Sequence, residues 1–306
     1  MKTPRWFKHK GLLAFFLLPF SGLYWLISRI VFRNRARHVL QSRRKIVCVG
    51  NLLAGGVGKT PIVRQIAEFL DAPVVMRGYK QTKNTNYIGD EALMLSRYGL
   101  IVHTGDRRSN IILLNKQKAK TPIVMDDGFQ NPSIKKDVSV VVVDESLGFG
   151  NGFLLPSGPM REGMSGFNRA DAVIIMKSGE KPKKHKDLNI PSHIPIFYAE
   201  NKTVSPYDQD VQIIAFAGIG YPEKFFAQLK NVVYKKAFAD HYQYTNDDIK
   251  RLFALADKYN AKLVTTEKDW VRLPENVRRI VKYAALDTKI EGAFFDWLKE
   301  KLNGDF

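Results

Sequence analysis

The sequence predicts an α/β protein in which a parallel sheet carries helices on both faces, with a second, smaller α/β domain and an N-terminal apolar helix. Two observations carry the prediction. Short apolar runs rich in β-branched residues alternate with amphipathic stretches along most of the chain, the order that parallel crossovers require. A glycine-rich turn also joins the first of these runs to a helical stretch, a junction typical of α/β sheets that bind phosphate.

The N-terminal helix rests on the uncharged run 11–28 between Lys10 and Arg29. At ~1.5 Å per residue it would reach about 27 Å, against a hydrocarbon core of about 30 Å, so spanning is marginal. Pro19, Ser21 and Gly22 interrupt its middle, and Tyr24 and Trp25 near its basic end resemble an interfacial belt. A cleaved signal peptide is disfavoured, because no small-x-small site follows and the glycine-rich motif begins too soon. A buried core helix competes with a membrane anchor, spanning or lying in the interface; basic residues on both flanks favour the anchor. No Asp or Glu precedes Glu68, so part of the excess of 48 Lys plus Arg over 30 Asp plus Glu, a net +18, is N-terminal. Such a charge calls for an anionic partner: nucleic acid, phosphorylated lipid or a membrane surface. The single cysteine, Cys48, excludes an intramolecular disulfide framework and fits a reducing compartment.

Candidate strands follow at 45–49, 73–76, 100–103, 122–126, 138–144 and 172–176, then at 194–198, 211–217, 262–266 and 280–284. Helical periodicity fits 61–70, 91–98, 108–115, 223–229, 246–259 and 293–302. The stretch 147–169, rich in Gly, Pro, Phe and Met, reads as a long functional loop, and the basic run 177–191 as a surface connection. The chain of 306 residues, 45% apolar, suffices for one large or two modest domains. The expected division is a membrane-associating segment 1–44, a core domain 45–205 and a smaller α/β domain 206–306.

The strongest motif is Gly55-Gly56-Val57-Gly58-Lys59-Thr60, preceded by a strand and by Leu53 and Ala54. Small residues let backbone N–H groups approach a β-phosphate, Lys59 reaches the β/γ oxygens, and the Thr60 hydroxyl can ligate Mg²⁺. The core is therefore read as a P-loop NTPase-like sheet. Leu53 stands where such loops usually carry glycine. A P-loop enzyme also needs a carboxylate at a neighbouring strand end. The apolar run 121–125 supplies it in Asp126-Asp127, followed by the turn residue Gly128. Two adjacent carboxylates repel, and a cation beside them is the natural compensation. Asp90-Glu91 at a helix start and Asp240-His241 stay ambiguous between structural and chemical roles when read alone.

Taken together, these residues resemble the tetraacyldisaccharide 4′-kinases of lipid A biosynthesis. The resemblance runs through Gly50-Asn51, the phosphate loop, Arg77-Gly78-Tyr79, Gly89-Asp90-Glu91, Asp126-Asp127-Gly128-Phe129-Gln130, Pro156-x-Gly158-Pro159-x-Arg161-Glu162, Asp240-His241-Tyr242 and Thr266-Glu267-Lys268-Asp269. It covers nearly the whole chain in family order, and the family's own loop lacks the first glycine, so Leu53 fits. Two departures are a segment from Tyr79 to Ile88 shorter than usual and Ala92 where Pro is common.

The resemblance implies transfer of the ATP γ-phosphate to the 4′-hydroxyl of a tetraacyldisaccharide 1-phosphate, giving lipid IVA. It implies two α/β domains with the active site in the cleft between them, at the cytoplasmic face of the bacterial inner membrane. It assigns acid–base work to Asp90 and His241, and charge stabilisation to Lys59 and Arg161. It gives Mg²⁺ to Thr60 and Asp127, with Asp126, Gln130 and Glu162 in or near that shell. Arg107 and Arg108 are candidates for an acceptor phosphate. The expected partners are the glycolipid and a membrane surface, with no nucleic acid and no obligate protein partner. Deleting residues 1–40 is expected to weaken activity on membrane-embedded substrate and leave nucleotide binding intact. The competing readings are a membrane-attached P-loop ATPase switch and a small-molecule kinase.

Overall fold

The computed structural model describes residues 4–7, 9–55, 57–78, 89–177 and 188–303. The chain divides into two compact units, one built from 4–200 with 289–306 and the other from 201–288.

The larger unit opens with helices α1 (Leu12–Phe16) and α2 (Leu18–Arg35). The predicted N-terminal helix is thus broken at Leu17, with Pro19 in the first turn of α2, where its missing N–H costs nothing. Among the described residues, no helix is long and apolar enough to cross a membrane. There follow β1 (Ile46–Gly50), α3 (Lys59–Leu70), β2 (Val74–Met76), α4 (Asp90–Arg97), β3 (Val102–Thr104) and α5 (Arg107–Asn115). Strands β4 (Ile123–Asp126), β5 (Val138–Asp144), β6 (Ala172–Lys177) and β7 (Ile196–Val204) complete the series. Their order is β3-β2-β4-β1-β5-β6-β7, every pairing parallel. All five residues of β1 are buried. Val47 and Val49 join a core with Ile62, Val63 and Ile66 of α3, while Ile46 and Cys48 join one with Ile111 and Leu114 of α5. Burial on both faces is why the strand reads as a continuous apolar run rather than an alternation.

The smaller unit contains β8 (Ile213–Ala217), α6 (Pro222–Phe226), β9 (Val232–Ala237), α7 (Asn246–Lys258), β10 (Lys262–Thr266), α8 (Glu267–Trp270), α9 (Glu275–Arg278) and β11 (Lys282–Ile290). Its strands run in the order β11-β10-β8-β9, again parallel. The sequence reading did not anticipate β9. That strand lies at the sheet edge, mostly exposed, with Lys235 and Lys236 on it, so it lacks an apolar run.

The last helix, α10 (Gly292–Asn303), returns to the larger unit, where Phe294, Leu298 and Leu302 are buried in the same core as Val47 and Ile62. The contiguous segment 206–306 is therefore shared between the two units. Phe294 packs edge-on against Phe197 and Phe295 with no exposure. Phe294→Ala is expected to destabilise the larger unit by about 3–5 kcal/mol, the usual cost of such a cavity. A urea denaturation midpoint unchanged from wild type would contradict that packing.

Candidate active site

β1 lies between β4 and β5, so its C-terminal end opens at the place where the chain's connections diverge to either side, the usual ligand position in such sheets. Gly50 ends the strand, and a Cβ there would come within 2.4 Å of the Phe129 Cβ, which only glycine avoids. Gly58 has φ 80°, a left-handed conformation suited to glycine, and hands the chain to α3 at Lys59. The first-turn N–H groups of α3, including that of Thr60, then face the loop with no intrahelical partner. Leu53 and Val57 turn inward and join the core. The Ala54 N–H donates to Pro159 O at 2.7 Å and Leu53 bridges Met160. These two predicted nucleotide-cradle residues thus anchor the loop's entry. Gly56 lies outside the described residues, as does the segment from Tyr79 to Ile88.

The predicted carboxylates stand beside the lysine. Asp126 ends β4 in register with Val49, and Asp127 turns the chain at φ 51° while its N–H donates to Val49 O. Asp127 Oδ1 lies 3.1 Å from Lys59 Nζ, and both its oxygens accept from Arg161 Nη1 at 2.9 and 3.0 Å. Burial works against the Asp127 charge, but the Lys59 and Arg161 cations outweigh it and hold the carboxyl at about 2. Lys59 also donates to Asn51 Oδ1 at 3.1 Å. Asp126 shows the opposite effect. Burial first, then the Glu91 and Asp127 charges, push it up to about 7 despite Lys59 and Arg107. Its Oδ1 is buried with no hydrogen-bond partner.

Glu162 accepts from Gln130 at 2.9 Å and from Arg169 at 2.5 Å, and Gln130 in turn donates to Asn51 O at 2.7 Å. Among the described residues, no group of three or more His, Cys, Asp or Glu side chains is disposed to hold a metal. Arg107 and Arg108, candidates for an acceptor phosphate, both make contacts within the larger unit. Arg107 donates to the backbone oxygens of Asp126 and Asp127 at 2.8 and 3.0 Å, and Arg108 to His38 O at 2.8 Å. One nitrogen of Arg107, Nη2, is thus committed to the carboxylate turn itself.

Asp90 is the first residue of α4 and only 6% exposed, in a position where the helix dipole favours its charge. His241 belongs to the smaller unit, on a turn with φ 58° whose N–H donates to Gly218 O. Lys268 Nζ donates to its Nε2 at 3.1 Å, and Arg272 Nη2 lies 3.4 Å from its Nδ1. Arg272 is itself clamped to the fully buried Asp269 at 2.9 Å and to Gly218 O at 3.1 Å. The Thr266–Asp269 motif therefore seats the histidine. Sequence reading missed Arg272, although its place one helical turn after Asp269 was the available signal.

A phosphate loop on a parallel sheet, with a lysine, an arginine and a carboxylate converging at the neighbouring strand end, defines a P-loop phosphotransferase. The family model described as tetraacyldisaccharide-1-P 4′-kinase, LpxK, matches residues 13–303, and the chain belongs to that family. The tetraacyldisaccharide 4′-kinase of Rickettsia africae is 33% identical over 319 residues, 98% of this chain and 97% of its own. That of Maricaulis maris is 35% identical over 312 residues, 91% and 89% of the two chains. The fold matches the crystal structure of LpxK from Aquifex aeolicus in complex with ATP, with a TM-score of 0.75 at 22% identity over 95% of this chain and 100% of that one.

Proposed function

We propose that this enzyme transfers the γ-phosphate of ATP to the 4′-hydroxyl of a tetraacyldisaccharide 1-phosphate, working at the cytoplasmic face of the bacterial inner membrane. The observation that carries the reading is the convergence of Lys59 and Arg161 on Asp127, beside the first turn of α3. Phosphoryl transfer asks a protein mainly for positioning and for charge placed around the transferring group. Lys59 and Arg161 supply two cations, which exchange part of their hold on Asp127 for phosphate oxygens. The N–H groups of Gly55, Val57, Gly58, Lys59 and Thr60 bind the phosphate chain.

The residues fit Mg²⁺. The orphaned Asp126 oxygen and its raised pKa are what a buried carboxylate next to a second one shows without a cation. Asp126, Asp127 and Thr60 would hold the ion, which when bound neutralises charge on the phosphates. Glu162, engaged by Gln130 and Arg169, steadies the surroundings. Asp90 accepts the proton of the sugar hydroxyl, and His241 assists proton handling, as the family resemblance assigns.

The N-terminal helices support a lipid acceptor. Leu12 is 91% exposed and Phe16 73%, and Leu23, Leu26, Ile27 and Ile30 are each about half exposed. Arg29 stacks over Trp25 on the same helix. An apolar, aromatic surface flanked by cations lies in an anionic bilayer interface rather than crossing it. The test is incubation with ATP, Mg²⁺ and the disaccharide 1-phosphate in detergent micelles. The reading expects the acceptor to gain the mass of one phosphate and ATP consumption to depend on the acceptor. Acceptor-independent hydrolysis would favour an ATPase switch instead.

A further inference from the structure

The segment 151–161 stands between the N-terminal helices and the phosphate loop and is hydrogen-bonded to both. On the helix side, Ser21 is only 5% exposed, on a helix whose apolar side chains are bare. Its Oγ lies 2.8 Å from Ser157 Oγ, donates toward Leu154 O at 2.9 Å and accepts from the Ser157 N–H at 3.1 Å. One turn along, on the same face, the Tyr24 hydroxyl donates to the backbone oxygen of Arg161 at 3.0 Å. Ahead of the helices, Asn151 donates to Trp6 O at 2.7 Å from its side chain and to Phe7 O at 2.8 Å from its backbone. The Trp6 ring nitrogen donates to Pro156 O at 3.2 Å.

On the other side, the same segment pairs with the loop that opens the nucleotide site. The Ala54 N–H donates to Pro159 O at 2.7 Å and the Arg161 N–H to Leu52 O at 2.8 Å, with Leu53 and Met160 bridged between them. The Arg161 side chain ends on Asp127. The hydroxyl of Tyr24 therefore holds the backbone of the same residue whose guanidinium ends on Asp127. α2 is also inverted relative to an ordinary surface helix: the hydroxyls of Ser21 and Tyr24 face protein while most of its large apolar side chains are exposed.

We propose that Ser21 and Tyr24 are positioning residues that couple the lipid-facing helix to the phosphate site. Seating α2 on a bilayer orders segment 151–161, which in turn holds Leu52–Ala54 and the Arg161 guanidinium in their phosphate-binding arrangement. The acceptor's own surface thereby prepares the donor's site. This rests on the lipid-facing reading of α1 and α2. It also replaces the expectation that residues 1–40 are dispensable for nucleotide binding: their removal strips these hydrogen bonds from segment 151–161.

The test is ATP affinity of the full-length protein, measured by titration calorimetry with Mg²⁺ and without acceptor. Measurements are made with and without vesicles of phosphatidylethanolamine and phosphatidylglycerol. Wild type is expected to bind ATP about fivefold more tightly, or better, when vesicles are present, at the low end of ordinary site-to-site coupling. Tyr24→Phe, which removes one oxygen, and Ser21→Ala are expected to lose that shift while still sedimenting with the vesicles. A structural role alone would lower the melting temperature and leave the vesicle dependence in place, which overturns the proposal. Sedimentation of wild type with no change in ATP affinity overturns the coupling alone. Failure of wild type to sediment overturns the lipid-facing reading along with it.

Discussion

Lys59→Ala is expected to lower phosphoryl transfer by about 100- to 1000-fold, the usual consequence of deleting one preorganised charge from a transition-state site. The geometry makes the loss specific. Lys59 leaves the first turn of α3 and reaches both Asn51 and Asp127, so its ammonium is already held beside the glycine-rich loop, at the proposed phosphate site. The variant should remain folded, because Asp127 keeps both contacts with Arg161 and the α3 core residues Ile62, Val63 and Ile66 are untouched. Lys59→Arg is not expected to rescue it, since a planar fork does not replace a point charge in a glycine-rich cradle. Steady-state kinetics beside a thermal melt check this. A well-folded Lys59→Ala retaining more than about a tenth of wild-type kcat/KM would remove the lysine from the chemistry.

Asp90→Asn is expected to lower kcat by about 100- to 10,000-fold, the range typical of general-base removal, with little change in the KM for ATP. The substitution keeps the shape of a residue at the start of α4 and removes only its charge. The structural cost is then the lost attraction of a helix N-terminus, roughly 0.3–1 kcal/mol. That separation distinguishes a base from a cap: a cap defect shows in the melting temperature and not in kcat. His241→Ala is expected to lower kcat to a smaller degree. In the smaller unit the ring is already held by Lys268, with Arg272 beside it.

The parts of this arrangement legible in the sequence are those whose physics is local. β1, β4 and β5 are buried on both faces, so their apolar runs announce them without any knowledge of neighbours. The glycine-rich loop that leads from β1 to α3 and the paired aspartates at the end of β4 identify themselves because each continues such a strand. What stayed hidden depends on contacts distant in sequence. The edge strand β9 reads as polar because solvent covers it, and α8 and α9 are single turns too short to show a period. The return of Phe294 and Leu298 to the core of the larger unit is visible only in the packing. The helical run 11–28 was seen, but not that its serine and tyrosine hydroxyls would face protein while its leucines faced out. Likewise the bonds from Arg107 Nη2 to the carbonyls of Asp126 and Asp127 are invisible in the sequence.

The most direct test of the central claim is the destination of the γ-phosphate. ATP labelled at the γ position is incubated with the enzyme and either the tetraacyldisaccharide 1-phosphate or its 4′-deoxy analogue in micelles, and the label is located in the product by NMR. The account predicts label on the 4′ oxygen of the natural acceptor and none on the analogue. Label at another hydroxyl, equal labelling of the two acceptors, or release of inorganic phosphate with no lipid product would contradict it.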